Sequence, residues 1–337
     1  MNKEELMISA NYVQYNPDNR GHYESFFIRA NHPQKPLAFW IRYTIFQPAK
    51  NHRNALGELW AIVFDGEGHH RALKAEYPIS QCSFAPDDFN IVIGDAVLMP
   101  GIAYGCIAYG DETIQWDVTY SGNSDPLFLY PAKLYTAKLP KAKTLVGLPF
   151  ARFNGSIQIN GETIEIMNWV GSQNHNWGSK HTDHYAWGQV CGFDNEPDAF
   201  LELATARIKV GPLFTPFMTP LVLRYKGNEY ALNSLSKLLC RARFGYFYWD
   251  FKAVEKNSTV KGSIVALKED FVCLPYYNPP GGIKYCLNTK IASCEITCKV
   301  GNDQWTLKTK NRCAFEILTD DTMHGLQPIR EIAVIKN

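Results

Sequence analysis

The chain has 337 residues, 46% of them apolar, with 34 Lys and Arg against 33 Asp and Glu for a formal net charge of +1. That length can build two ordinary domains or one large β-domain with a full core. The scattered charge excludes the basic groove of a nucleic-acid binder, and the longest apolar runs are strand-length, too short for a membrane-spanning helix.

In chain order the pattern is strand after strand. Strands are expected near 23–30, 37–46, 56–65, 89–98, 102–109 and 113–122, then near 155–159, 163–170, 185–193, 200–210, 220–225, 243–253, 260–267 and 292–300. The 113–122 run alternates Ile114, Trp116, Val118 and Tyr120 with Thr113, Gln115, Asp117 and Thr119. Cys294, Ile296 and Cys298 oppose Ser293, Glu295, Thr297 and Lys299 in the same way. Period-two runs are half-buried antiparallel strands. Turn pairs separate them, and Asn160-Gly161 between two alternating runs is the clearest hairpin signal. Short helices are expected at Asn233 through Leu239, capped by Asn233, and near 132–139. The segment 131–149 carries Pro131, Pro140 and Pro149 among lysines. It divides the chain into two β-rich halves, 1–145 and 146–337. Closure into barrels is the complete solution to the exposed edges of so many strands, so two barrels with ligand cavities are expected.

Nine cysteines, none in a Cys-x-x-Cys pair, sit mostly inside apolar runs, among them Cys191, Cys240, Cys273, Cys286 and Cys313. With no apolar signal segment at the start, they read as reduced thiols of a cytoplasmic protein.

The segment 173–189 concentrates the chemistry: His175, His181, His184 and Asp183 interleave with Asn174, Trp177, Tyr185, Trp187 and Gln189. Flat aromatic walls with a few polar groups suit a pocket for a mostly apolar ligand. His175, between two amides, is the expected general acid, with Asp183 orienting or charging it. Another reading makes 174–178 a tight loop with Trp177 as a core plug, and leaves His181 and His184 solvated. Zinc on the three histidines is not expected, since the spacing matches no metal motif. In the first half Arg42 shares strand parity with Trp40, and Glu58 with Trp60. These four are ligand-wall candidates, although an internal ion pair that fixes barrel closure is the favoured reading of Arg42 and Glu58.

Gly21-His22-Tyr23-Glu24-Ser25-Phe26-Phe27-Ile28-Arg29-Ala30-Asn31-His32-Pro33, then Ala38–Tyr43 and Glu58–Asp65, resemble the first half of the two-domain lipocalin-like proteins. That group includes carotenoid 1,2-hydratase, the AttH-like proteins and, more distantly, tocopherol cyclase. Asn174-His175-Asn176-Trp177-Gly178 and Tyr185-Ala186-Trp187-Gly188-Gln189 resemble signatures of their second half. The chain has His-Asn-Trp-Gly where tocopherol cyclases tend to have Lys-Asn-Trp-Gly, so a cyclase assignment does not carry over. The resemblance implies an all-β fold of two packed lipocalin-like barrels. It also implies chemistry without a cofactor: protonation of an isoprenoid or similar double bond, then capture by water or an internal hydroxyl. A hydratase, cyclase or isomerase of a lipophilic small molecule is the expected function, with Trp177, Tyr185 and Trp187 facing a developing cation. A non-catalytic carrier or sensor of a hydrophobic small molecule is the rival.

Overall fold

The structure is a computed structural model describing residues 7, 9–50, 54–84, 88–210, 212–237 and 242–336. The fold is all-β, with two lipocalin-like barrels packed against each other.

The first sheet has thirteen strands. At its middle, β1 (His22–Asn31), β2 (Leu37–Gln47), β3 (Leu56–Asp65) and β4 (Arg71–Pro78) follow one another antiparallel. On its other side β1 pairs with Glu162–Gly178, which pairs with Ala142–Ile159, followed by Glu112–Ser121 and Ile102–Tyr109. The sheet curls until β4 touches Ile102–Tyr109. Ile332–Val334 adds a parallel edge strand to β4. The second sheet runs from Leu221–Tyr225 through Phe200–Arg207, His184–Cys191, Asp303–Thr319 and Ile283–Val300 to Ser258–Val265 and Tyr248–Glu255.

Burial explains why some strands alternate and others do not. Glu112–Ser121 faces solvent on one side, and its inward residues Ile114, Trp116, Val118 and Tyr120 are buried while Gln115, Asp117 and Thr119 are exposed. All ten residues of β1 are buried. Its Phe26 and Ile28 join the core of the first barrel with Ile41, Leu59 and Trp116. Phe27, on the opposite face, joins a second apolar layer with Trp40, Trp60, Trp187, Phe200 and Leu274. Covered on both faces, β1 shows no exposed polar side: His22, Glu24, Ser25, Arg29 and Asn31 are buried along with its apolar residues and find polar partners inside. Among the described residues there are three large cores, one inside each barrel and one in the seam between them, and a small cluster of Ala10, Tyr135 and Leu145.

The Asn160-Gly161 hairpin forms, with both residues at positive φ (51° and 88°), and joins strands far longer than expected. Its second arm continues to Gly178, so 174–178 is strand rather than loop. The chain leaves the first sheet after Gly178 and enters the second at His184. Strand membership thus changes there rather than at 145/146, because the hairpin returns to pair with β1; we propose that the domain division follows it. The strand expected over 89–98 is a small hairpin, Ile91–Ile93 and Ala96–Met99, turned at Gly94. The helices expected near 132–139 and from Asn233 reduce to short 3-10 turns, Ala132–Leu134 and Leu235–Lys237, while Leu238 and Leu239 lie outside the described residues. The eight described cysteines are free; six are buried, Cys82 is half-buried and Cys106 exposed, and Cys240 lies outside the described residues. No helix among the described residues is long and apolar enough to cross a membrane.

Candidate functional site in the seam

Alternation along the paired strands decides what faces the seam. On β1 and β2, Tyr23 and Phe27 share a face with Trp40 and Arg42; from the other sheet Tyr185, Trp187, Ala204, Ala206 and Glu316 face them. Together with Tyr130, Lys143, Thr144, Asn176, His181, Thr182 and Tyr276 they enclose a cavity of about 80 Å³. This is about half the volume of an apolar cavity that accepts benzene. An organic ligand must therefore lie partly in the mouth or displace a wall.

The walls are aromatic. His181 stacks on Tyr23 with ring centroids 3.9 Å apart, and Tyr276 follows at 5.8 Å. The Arg42 guanidinium lies 4.3 Å from the Tyr276 ring centroid and donates to Ser25 Oγ. His181 Nε2 donates to the Tyr277 carbonyl at 3.2 Å, which assigns the other ring nitrogen, Nδ1, the lone pair. Burial, helped by the Arg42 charge, pushes its pKa down to about 3, so the ring is neutral at physiological pH. Burial also raises the Tyr23, Tyr185 and Tyr276 hydroxyls far above their ordinary range, keeping all three protonated. Tyr185 Oη lies 3.5 Å from Glu316 Oε2, and Lys290 Nζ pairs with Glu316 Oε1 at 2.8 Å. Burial lowers the Lys290 pKa against the pull of Glu316. Three cavity residues carry buried polar atoms without a protein partner: Trp40 Nε1, Arg42 Nε and Asn176 Oδ1, while Tyr276 Oη faces the Cys286 thiol. Each such atom costs about 1–3 kcal/mol while unpaired.

Beside the cavity the seam holds a closed polar network. Arg29 Nε donates to Gln189 Oε1 at 2.7 Å and Nη1 to Asn31 at 2.7 Å. Gln189 Nε2 donates to Asn174 at 2.7 Å and to Glu202 at 2.9 Å, and Trp187 Nε1 donates to Glu202 at 2.7 Å. Burial outweighs these hydrogen bonds and raises the Glu202 pKa to about 8.

Of the residues expected at the site, Trp40, Arg42, Tyr185 and Trp187 line the cavity. His175 does not. It shares its strand face with the first barrel's core, stacked on Phe26 at 4.0 Å and Trp177 at 4.4 Å. Its Nδ1 donates to the Ala10 carbonyl at 3.0 Å and its Nε2 meets Glu24 at 2.8 Å. Burial raises the Glu24 pKa, but the hydrogen bonds from His175 and His22 outweigh it and leave Glu24 below its ordinary value. Asp183 neither meets His175 nor lines the cavity: it pairs with Lys180 and accepts from the Lys209 amide at 2.9 Å. Trp177 goes with His175, while Asn174 and Gln189 belong to the closed network. His184 packs edge-on against Phe217 and Phe244. The three histidines thus occupy three separate environments. The expected Arg42–Glu58 pair is replaced: Glu58 pairs with Lys74 at 2.5 Å, and Lys74 lies 4.6 Å from the Trp60 ring centroid. His181, expected in solvent, is buried in the cavity wall. Glu202, Lys290 and Glu316 were not among the expected residues; Glu202 and Glu316 interrupt apolar runs as Arg42 and Glu58 do, whereas Lys290 follows the polar pair Asn288-Thr289 and carries no such signal.

This architecture matches solved structures. An AttH-like protein from Nitrosomonas europaea superposes with a TM-score of 0.57 at 13% identity, covering 91% of this chain and 96% of that one. Kievitone hydratase from Nectria haematococca gives 0.55 at 10% identity, covering 89% of both chains. CghA gives 0.52 at 9%, covering 89% and 88%. The fold is that of the two-barrel lipocalin-like proteins. No family model matches the chain. Two uncharacterized proteins of Mycobacterium tuberculosis, MT0513 from strain CDC 1551 and Rv0493c from strain H37Rv, are each 22% identical over 196 residues. The chain spans 58% of the length of these curated relatives.

Proposed function

We propose that the seam cavity is the active site of a cofactor-independent acid/base enzyme of the hydratase class, adding or removing water across a double bond of a lipophilic small molecule. One observation carries this reading. A neutral imidazole, His181, and the protonated phenols of Tyr23, Tyr185 and Tyr276 line one aromatic-walled space. Hydration needs a group that accepts a proton from water and another that delivers one to carbon. His181 Nδ1 is the acceptor. A base held this low keeps its lone pair at every physiological pH and releases a gained proton at once, so it relays rather than stores it. The Tyr185 hydroxyl, next to Glu316, gives its proton to one alkene carbon while water adds to the other and loses a proton to His181 Nδ1. His181 then releases that proton and the Tyr185 oxygen takes one up through the cavity mouth, which resets both groups. The rings of Tyr23, Trp40 and Trp187 stabilise positive charge developing on carbon. That kievitone hydratase has the same fold supports the class of reaction, and the aromatic cavity walls support a lipophilic substrate.

The test is conversion of a panel of unsaturated lipophiles, read by mass spectrometry as gain or loss of one water and as deuterium uptake from heavy water. His181→Gln is expected to lower turnover by roughly 10²–10⁴-fold with ligand affinity nearly kept. His175→Gln, in molecules that remain folded, is expected to turn over normally. A wild-type protein that binds a ligand and neither converts nor exchanges it is a carrier, and the proposal fails.

A further inference from the structure

Arg42 is in an unusual position for a buried cation. It is only 6% exposed. Glu58 and Glu316 favour its charge from beyond ion-pair distance, but each has a lysine as its contact partner: Glu58 meets Lys74 at 2.5 Å, which it shares with Glu76, and Glu316 meets Lys290 at 2.8 Å. Among the described residues no carboxylate lies within ion-pair distance of Arg42. Its protein contacts are the Ser25 hydroxyl and the ring faces of Tyr276 and Trp40, and its Nε donor has no partner. A buried charge is ordinarily paired, because desolvation without a counter-charge is expensive. A second cation lines the same cavity. Lys143 Nζ donates only to the backbone carbonyls of Ala137 and Pro140, both at 3.0 Å, and likewise has no carboxylate within ion-pair distance among the described residues. With Glu316 neutralised by Lys290 and His181 uncharged, the cavity carries a surplus of positive charge.

We propose that the cavity takes an unsaturated carboxylate, whose anionic oxygens are held by Arg42 with Lys143 at its flank, and whose conjugated skeleton lies between Tyr23, Trp40, Tyr276 and Trp187. The planar fork of a guanidinium suits a carboxylate, and Arg42 retains unused donors for it. Trp40 Nε1, an N–H donor without a protein partner in the same wall, supplies a further contact for an anion that opens the wall. This substrate class rests on the cavity being the reactive site, as proposed above, but its test reads binding rather than turnover.

Cinnamate and cinnamyl alcohol make the comparison, since they share a skeleton and differ in charge. Titrated into the full chain at neutral pH and followed by calorimetry, cinnamate is expected to bind at least about tenfold more tightly than the alcohol. Arg42→Met is expected to abolish that preference by weakening cinnamate while leaving the alcohol unchanged. Equal affinity for the two probes, binding of neither, or a preference that survives Arg42→Met overturns the proposal. If Arg42→Met does not fold, a crystal of the wild type soaked with cinnamate decides. A carboxylate within hydrogen-bond distance of Arg42 supports the proposal, and density elsewhere overturns it. Binding of unsaturated carboxylates without hydration of any leaves the anion site standing and removes the hydratase reading. Hydration of neutral alkenes with no preference for carboxylates does the reverse.

Discussion

His175 and His181 are six positions apart, both buried, and live in opposite chemical worlds. His175 lies on the face of its strand that fills the first barrel. Both of its ring nitrogens meet acceptors, the Ala10 carbonyl and the Glu24 carboxylate. His181 lies beyond the strand end, where the chain crosses to the second sheet, and its charged neighbours are cations, Arg42 and Lys284. Sequence proximity therefore says little about role. The sign of the surrounding charge separates a histidine that fastens the fold from one available for proton transfer. Glu24 also accepts the Gln14 amide at 2.7 Å, so the His175–Glu24 pair holds residues 10–14 against the barrel from two points.

The comparison breaks most easily on stability. His175→Ala leaves the Glu24 charge buried with one partner fewer, and removal of one member of a buried pair typically costs about 3–5 kcal/mol. His181→Ala removes stacking and one hydrogen bond to a carbonyl but strands no charge, so a loss of about 1–2 kcal/mol is expected. Urea unfolding at neutral pH measures both. Equal losses, or a larger loss for His181→Ala, would contradict the division of roles. Ligand affinity should show the opposite order: unchanged in folded His175→Ala and altered in His181→Ala.

Much of this arrangement is legible from residue order, and the illegible part has a definite cause. The alternation of Ile114, Trp116, Val118 and Tyr120 and the Asn160-Gly161 turn are local, and local patterns survive folding. Trp40, Arg42, Tyr185 and Trp187 could be picked because a charge or a large ring at fixed parity on an apolar strand needs a reason. The same rule reaches Glu202 between Leu201 and Leu203, and Glu316 between Phe315 and Ile317. His175 was misplaced because the segment around it carries polar residues on both faces, Asn174 and Asn176 as well as His175 itself. That pattern resembles a loop, whereas here one face meets the closed seam network and the other meets Glu24. His181 could not be placed from its own neighbourhood at all. Its burial depends on Tyr23, Arg42 and Tyr276, contributed by β1, β2 and the strand Val272–Tyr277.

The pH dependence of stability sharpens the contrast within the seam. His181 has its pKa depressed from 6.5 to about 3 by burial, so the unfolded chain binds its proton first and stability is lost as pH falls below 6.5. Glu202 has its pKa raised from 4.5 to about 8, so the folded chain keeps a proton the unfolded chain has released, and stability is lost as pH rises from 4.5 through 8. From pH 4.5 to 6.5 the two slopes oppose each other. From 6.5 to 8 only the Glu202 slope remains of the two, worth about 2 kcal/mol at roughly 1.4 kcal/mol per pH unit. Glu202→Gln should remove that upper decline and replace it with a constant offset from one altered hydrogen bond. Thermal unfolding of wild type and variant at pH 6.5 and 8 reads the difference. Parallel losses in the two proteins would show that Glu202 is ionised in the fold.

The smallest effect expected is at Gly161, and it tests whether the two histidine environments depend on one strand. The strand Glu162–Gly178 carries His175 into the barrel and Asn176 toward the cavity, and its register is started at the Asn160-Gly161 turn. Both turn residues have positive φ, Gly161 at 88°, and a Cβ there would meet nothing within 4 Å. Gly161→Ala therefore costs only the backbone preference, about 1 kcal/mol, with no steric clash to propagate. Ala142–Ile159 pairs with the strand along its length and β1 pairs with it from Val170 to Gly178, so the register should persist. Unfolding midpoints should fall slightly, while cinnamate affinity and the pH profile stay as in the wild type. A change in affinity larger than the change in stability would mean that the turn sets the cavity wall, and that barrel and seam are coupled more tightly than their separate hydrogen-bond networks imply.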